Sequence, residues 1–139
     1  MTKRVAEVMT KDPVAVHLDV MLTEAARLMR DHSIGDVLVT SNGHLCGVLT
    51  DRDIVVRAVA ENRDPRRTTV GDICSADIAA LDPEANATDA VRLMRARAIR
   101  RVPVVADGEP VGIVSMGDLA VDRDKESVLA DISKAPPSR

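Results

Sequence analysis

The chain contains two copies of one sequence pattern. Shifting it by 65 positions aligns residues 5–54 with residues 70–119 without a gap, and about 15 of the 50 aligned pairs are identical. Asp53 falls on Asp118 and Gly47 on Gly112. A gapless match of this length predicts two copies of one fold unit. Because each copy is too small to bury a large core alone, we expect the two to pack together with pseudo-two-fold symmetry.

Each copy has the same predicted order of elements, β-α-β-β-α, after a short helical turn at residues 5–9 and 70–74. Brief extended pieces follow at 14–16 and 79–81. Apolar residues then recur at helical spacing from Leu22 to Met29 and from Ala87 to Met94, which predicts one buried helix face per copy. Thr23 and Thr88 are the expected N-caps of these helices.

A hairpin is predicted in the second half of each copy. The apolar runs 37–40 and 45–49 flank Asn42-Gly43, and the runs 102–105 and 110–114 flank Asp107-Gly108. Both dipeptides favour a type I′ turn, whose two central residues need positive φ. A further helix is expected over 51–60 and from 116 onward. The fold class is therefore α+β, in the form of an α/β sandwich.

These patterns give four segments. Repeat 1 spans 1–62, a polar linker spans 63–69, repeat 2 with a C-terminal helix spans 70–132, and a frayed tail spans 133–139. The charge run 122–126 is expected to be solvated. Val128, Leu129 and Ile132 form a short apolar edge that either packs back on the module or meets a second subunit.

Composition narrows the classes of function. The net charge of -3 argues against non-specific nucleic-acid binding, and the absence of Phe, Tyr and Trp removes the aromatic stacking that single strands need. No apolar stretch approaches the roughly 18 residues of a membrane span, and no secretory signal is evident. We expect a cytoplasmic protein without a nucleic-acid or membrane partner.

Cysteines and histidines do not indicate a metal site. Cys46 and Cys74 lack CxxC spacing, and the three histidines lack ligand spacing with cysteines or carboxylates. We expect reduced, mostly buried thiols, with a disulfide or redox role as the alternative. No nucleophile–base pair or phosphate loop is recognisable either, so the chain is predicted not to be an enzyme.

One motif recurs after each hairpin: a glycine, two apolar residues, a hydroxyl, two further positions and an aspartate. It reads Gly47 to Thr50 to Asp53 in repeat 1, and it recurs at residues 112–118 in repeat 2. The aspartate suits a ribose diol, and the glycine is expected to allow close approach of backbone and ligand. The alternative is helix capping without a ligand, since Ser/Thr-x-x-acid is also a capping pattern.

With this motif in both copies, and with the run IRRVPVV at residues 99–105, the sequence strongly resembles the CBS domain family. Paired copies in that family form a Bateman module. The resemblance implies a disk-like homodimer of two pairs. It also implies adenosine-containing ligands such as AMP, ATP or S-adenosylmethionine, bound in clefts between the repeats, with no cofactor required. Members usually regulate an attached or partner protein.

The resemblance further implies crossed sites, in which the motif of one copy works with the lead-in segment and central strand of the other. The implied residues of site A are Thr50, Asp53, Ser75, Ala80, Ile99, Arg100 and Arg101. The implied residues of site B are Ser115, Asp118, Thr10, Ala15, Ile34 and Gly35.

The two sites differ in charge. Arg100-Arg101 correspond to Gly35-Asp36, so only site A has guanidinium groups suited to a phosphate. Site A is therefore expected to take a phosphorylated adenosine ligand, whereas site B stays empty or takes a neutral or cationic derivative. A solvated edge or a dimer salt bridge is the alternative role of the two arginines.

The sequence is compatible with two functions. The first is a stand-alone regulatory module of the stress-response type that binds an adenine nucleotide and acts in trans on an unidentified protein partner. The second is a structural or interaction dimer with vestigial nucleotide clefts.

Overall fold

The computed structural model describes residues 3–123. It contains two compact units: residues 14–78 form the first unit, and residues 3–13 together with 79–123 form the second. The start of repeat 1 therefore belongs to the second unit. The tail 133–139, the apolar edge at 128–132 and most of the charge run 122–126 lie outside the described residues.

The chain contains both helices and strands, which confirms the mixed fold class. In chain order the elements are α1 (Val5–Val8), β1 (Thr10–Lys11), β2 (Ala15–His17), α2 (Leu22–His32), β3 (Asp36–Ser41), β4 (His44–Thr50), α3 (Asp51–Asp53), a π-helix (Ile54–Val59), α4 (Val70–Ile73), α5 (Ala87–Arg97), β5 (Arg101–Ala106), β6 (Glu109–Ser115) and α6 (Met116–Arg123).

A three-stranded sheet in the order β2-β3-β4 forms the first unit. Strand β2 is parallel to β3, and β3 is antiparallel to β4. One face of the sheet and the apolar faces of the helices enclose an aliphatic core. Its buried members are Val16, Leu22, Ala25, Met29, Val37, Val39, Leu49, Ala58, Val70 and Ile73.

The second unit contains a sheet in the order β1-β6-β5. Leu81 forms a parallel bridge with Val104 of β5, in the position that β2 occupies beside β3 in the first unit. The core is again entirely aliphatic. Its buried members are Val5, Ala90, Met94, Val102, Val104, Val114 and Leu119.

Both hairpins have the predicted turn. Asn42 and Gly43 have φ values of 53° and 82°, and Asp107 and Gly108 have the same pair of values. Two successive positive φ angles are the requirement of a type I′ turn, so this prediction is confirmed.

The predicted N-caps are wrong. Helix α2 begins at Leu22 after the N-cap Met21, and α5 begins at Ala87 after the N-cap Asn86. Backbone carbonyls satisfy the first helical N–H groups instead: Leu22 N donates to Thr68 O at 2.9 Å, and Ala87 N donates to Lys3 O at 2.7 Å. Because distant backbone caps these helix starts, no threonine is needed there.

The helix expected over 51–60 is helical but not a regular α-helix. It begins as the short α3 and continues as the π-helix, in which Ala60 N donates to Val55 O, five residues back, at 2.9 Å. In this segment Val55, Val56 and Val59 are exposed to 58%, 45% and 65%. Such helices are rare and occur frequently at functional sites.

The first prediction concerns the core of the first unit. Leu49 is fully buried at the centre of its cluster, so Leu49→Ala removes apolar contacts and leaves a cavity. We expect the free energy of unfolding to fall by about 2–5 kcal/mol in chemical denaturation. The exposed control Glu61→Ala is expected to change it by less than about 0.5 kcal/mol. Equal effects of the two substitutions would contradict the assigned core.

Candidate functional site

The two repeated motifs lie at equivalent strand-to-helix junctions. In the first unit β4 ends at Thr50 and α3 begins at Asp51, and in the second unit β6 ends at Ser115 and α6 begins at Met116. The hydroxyl therefore belongs to the last strand residue, and the aspartate lies in the first turn of the helix. Each unit brings its hydroxyl and aspartate together.

Both pairs form reciprocal capping boxes. Thr50 N donates to Asp53 Oδ2 and Asp53 N donates to Thr50 Oγ1, each at 3.0 Å. Ser115 and Asp118 make the same two bonds at the same distances. The capping role that the sequence left open is thus real. Capping does not use all the hydrogen-bonding capacity of these side chains. Each hydroxyl keeps its proton as a donor, and each carboxylate keeps lone pairs that can accept.

A lead-in segment from the other repeat lies beside each motif. Ser75 exchanges two backbone hydrogen bonds with Val48 of β4, at 2.9 and 3.0 Å. In the second unit β1 pairs with β6, with Thr10 opposite Ile113. Ser75 therefore belongs to the same unit as Thr50 and Asp53, and Thr10 to the same unit as Ser115 and Asp118.

The motif glycines make room for these lead-in segments. A Cβ on Gly47 would lie 2.9 Å from Ser75 O, and a Cβ on Gly112 would lie 2.9 Å from Thr10 O. Real Cβ atoms do not approach a backbone oxygen so closely. The space expected for a ligand beside the glycine is thus occupied by a backbone carbonyl, which corrects the role predicted for this residue.

The aspartates of the two units have different neighbours. Thr10 Oγ1 donates to Asp118 at 3.4 Å (Oδ1) and 3.5 Å (Oδ2), both long for such bonds. In the first unit the guanidinium of Arg57 lies near the carboxylate instead, with Nε 3.9 Å from Asp53 Oδ1. One carboxylate is thus held by a neutral hydroxyl and the other lies beside a cation.

The remaining predicted residues lie in the opposite unit from the motif they were assigned to. Ala80, Ile99, Arg100 and Arg101 of site A belong to the second unit, and Ala15, Ile34 and Gly35 of site B belong to the first. Their part in the sites stays a prediction. Most are exposed, and Ile34 and Ile99 are partly buried.

The sequence reasoning missed Asp51. A Cβ on Gly35 would lie 2.9 Å from Asp51 Oδ2, so the carboxylate occupies the place where position 35 would carry a side chain. The aligned position in repeat 2 is Met116, and Arg100 stands in place of Gly35. The alignment of the repeats could have indicated this contact, because both positions change together. Repeat 1 has Gly35 and Asp51, whereas repeat 2 has Arg100 and Met116.

Neither cysteine forms a disulfide, and both are partly buried. Burial raises the pKa of the Cys74 thiol, and nearby Cys46 and Asp53 raise it further. A raised pKa lowers the thiolate fraction at neutral pH, so Cys74 does not have the character of an activated nucleophile.

Among residues 3–123, no three or more His, Cys, Asp or Glu side chains cluster so that they could hold a metal ion. Within the same range, no helix has the length and apolarity needed to cross a membrane.

The second prediction tests the close packing over the glycine. In Gly112→Ala the new methyl group collides with Thr10 O, so β1 must move away from β6. We expect faster amide hydrogen exchange at Thr10–Lys11 and a loss of about 1–3 kcal/mol in the free energy of unfolding. Glu109→Ala, at the exposed start of β6, is the control and should leave both measurements nearly unchanged. Unaltered exchange in Gly112→Ala would contradict the packing.

Several known proteins are similar to this chain. The CBS domain-containing protein YhcV of Bacillus subtilis is 40% identical over 119 residues, covering 86% of this chain and 84% of that protein. Hypoxic response protein 1 of Mycobacterium tuberculosis is 38% identical over 100 residues, covering 71% and 70%.

Solved structures of known proteins are also similar to this chain. A crystal structure of Hypoxic Response Protein I with two coordinated zinc ions superposes with a TM-score of 0.79 at 33% identity, covering 86% of this chain and 98% of that one. The CBS domain pair of protein MJ0100, in complex with 5′-methylthioadenosine and S-adenosyl-L-methionine, has a TM-score of 0.79 at 25% identity, covering 91% and 100%.

The family model of the CBS domain matches residues 5–59 and again residues 70–121. These ranges contain both repeats and both hydroxyl–aspartate motifs. The chain therefore belongs to the CBS domain family, as a protein with a tandem pair of these domains.

Proposed function

We propose that this CBS pair binds an adenosine-containing ligand of the AMP or ATP type and regulates a protein partner in trans. The observation that carries the proposal is the repeated geometry: each unit holds an aspartate and a hydroxyl in the same reciprocal bonds, with a hydroxyl-bearing lead-in segment alongside. The adenosine ligands of the MJ0100 pair support this ligand class.

The chemistry of the motif favours recognition of a ribose. A carboxylate accepts hydrogen bonds from both hydroxyls of a ribose diol. Asp53 is fixed by its bond with Thr50 N, and its side chain is still 13% exposed. Asp118 is held by Thr10 only through long bonds, which a ribose hydroxyl could replace. These groups bind and orient a ligand, so the proposed role is binding without catalysis.

The two sites are proposed to differ in the ligand they accept. Arg100 and Arg101, assigned to site A by the family resemblance, favour a phosphorylated ligand. At the corresponding place the first unit has Gly35 and Asp36, with the Asp51 carboxylate beside Gly35. These carboxylates repel phosphate, so site B stays empty or takes a neutral or cationic adenosine derivative such as S-adenosylmethionine. No cofactor is required in this proposal, and a cytoplasmic location stays a prediction.

The third prediction tests site A by calorimetry with AMP or ATP. Arg100→Ala removes a charge-assisted contact to phosphate, so we expect its affinity for AMP to fall about 10- to 100-fold. Binding of adenosine, which lacks the phosphate, should change little. Arg66→Ala is the control, since Arg66 is a highly exposed arginine of the first unit. Undiminished AMP affinity in Arg100→Ala would remove Arg100 from the site.

A structural or interaction dimer with vestigial clefts is the second candidate. The capping boxes favour it, because they give both aspartates a role that needs no ligand. A thermal-shift series with AMP, ATP, S-adenosylmethionine and adenosine separates the two functions, since selective binding to the folded state raises its stability. Stabilisation by one of these ligands supports the regulatory module. No shift with any of them at millimolar concentration supports the second candidate.

Under both functions we propose a homodimer. In the second unit, α5 and α6 form an apolar groove of about 400 Å³, lined by Val91, Met94, Arg95, Ile99, Met116, Leu119 and Ala120. In the first unit the equivalent helix exposes Val55, Val56 and Val59. Equivalent apolar faces on two repeats suit an isologous contact with a second copy, which would complete cores that lack aromatic residues.

The fourth prediction tests this dimer. Val59 is 65% exposed, so Val59→Asp should leave the fold intact while placing a charge in an apolar contact. We expect light scattering to show a dimer for the wild type and a monomer, or a much weaker dimer, for the variant. The control Arg66→Asp changes the charge of a highly exposed side chain outside the π-helix. A wild-type monomer, or an unchanged Val59→Asp dimer, would contradict the proposed interface.

A further inference from the structure

Arg57 lies in the π-helix, one helical turn after Asp53. Its Nη1 donates to Ile73 O at 3.0 Å and approaches Cys74 O at 3.5 Å. Its Nε lies 3.9 Å from Asp53 Oδ1. One guanidinium group thus connects the aspartate of the motif with the carbonyls at the end of α4.

These carbonyls precede the lead-in residue of the site. Helix α4 ends at Ile73, and its last carbonyls have no partners within so short a helix. By donating to these carbonyls, Arg57 fixes the chain where it leaves α4. An arginine is favoured at a helix C-terminus. Ser75 follows two residues later and pairs with Val48 of β4. Arg57 therefore contacts the motif aspartate and also the chain that leads into Ser75, which are the two parts of site A in the first unit.

The other repeat has an acidic residue at the aligned position. Continuing the 65-residue shift places Asp122 at the position of Arg57. There the aspartate of the motif receives a bond from the neutral hydroxyl of Thr10. In the contacts of the described residues, Asp53 has a guanidinium within 3.9 Å, whereas Asp118 has a neutral hydroxyl. An adjacent cation reduces the repulsion between a carboxylate and an approaching phosphate.

We propose that Arg57 is the positioning residue that lets site A accept a phosphorylated adenosine ligand. It fixes the chain that leads into Ser75, and it offsets the charge of Asp53, whose direction is already set by Thr50 N. This inference rests on the proposed nucleotide-binding function. In this proposal the ligand preference of site A depends partly on the π-helix, which lies outside the recognised motif.

The fifth prediction uses Arg57→Gln, Arg57→Lys and, as a matched control, Arg92→Ala. Arg92 lies 3.7 Å from Asp89, three residues earlier in α5 of the other repeat, and its side chain is exposed. By calorimetry we expect Arg57→Gln to weaken AMP binding about tenfold and adenosine binding less than about threefold. Arg57→Lys should recover most of the AMP affinity, because it keeps the charge. Equal losses for AMP and adenosine, or no loss in Arg57→Gln, would overturn the charge role.

A ligand-free measurement tests the positioning role separately. We expect amide hydrogen exchange at Ser75 to be about tenfold faster in Arg57→Gln than in the wild type or Arg92→Ala, because the α4 carbonyls lose their donor. Unchanged exchange would overturn the positioning role even if no nucleotide binds. Failure of the wild type to bind AMP or adenosine, with the exchange difference present, would instead overturn the proposed nucleotide function.

Discussion

Each unit of this protein depends on the pairing of a lead-in segment from one repeat with the last strand of the other. Ser75 pairs with Val48, and Thr10 pairs opposite Ile113. The contact is possible only because Gly47 and Gly112 have no side chain where the partner carbonyl lies. A glycine in each repeat therefore permits the contact that brings the lead-in residue beside the motif.

The strand-to-helix junction caps a helix in a geometry that also leaves hydrogen-bonding groups available to a ligand. The hydroxyl and aspartate satisfy N–H groups at the start of a helix, and the same side chains keep free donor and acceptor capacity. The capping and ligand-binding interpretations are therefore compatible. A carboxylate whose direction is already fixed by its own backbone loses little conformational entropy when it binds a ligand, which favours recognition of a ribose.

The two repeats differ in charge around their motifs. The backbone geometry of the hairpins and capping boxes is nearly the same in the two units, yet Arg57 and Asp51 have Asp122 and Met116 as counterparts. The charged residues around the two motifs differ, while the aliphatic cores stay equivalent. Two sites with one architecture and different electrostatics are the expected result of such divergence.

The amino-acid sequence by itself determined the repeat, the aliphatic core, the hairpin turns and the hydroxyl–aspartate motif. Each of these follows from local side-chain chemistry, such as the positive φ that Asn42-Gly43 favours. Only the tertiary structure decided the backbone capping of α2 by Thr68 O, the close contact over the glycines and the contacts of Arg57 with Ile73 O. These interactions involve backbone carbonyls of distant segments. Because a backbone carbonyl is the same in every residue, no pattern of side chains predicts them.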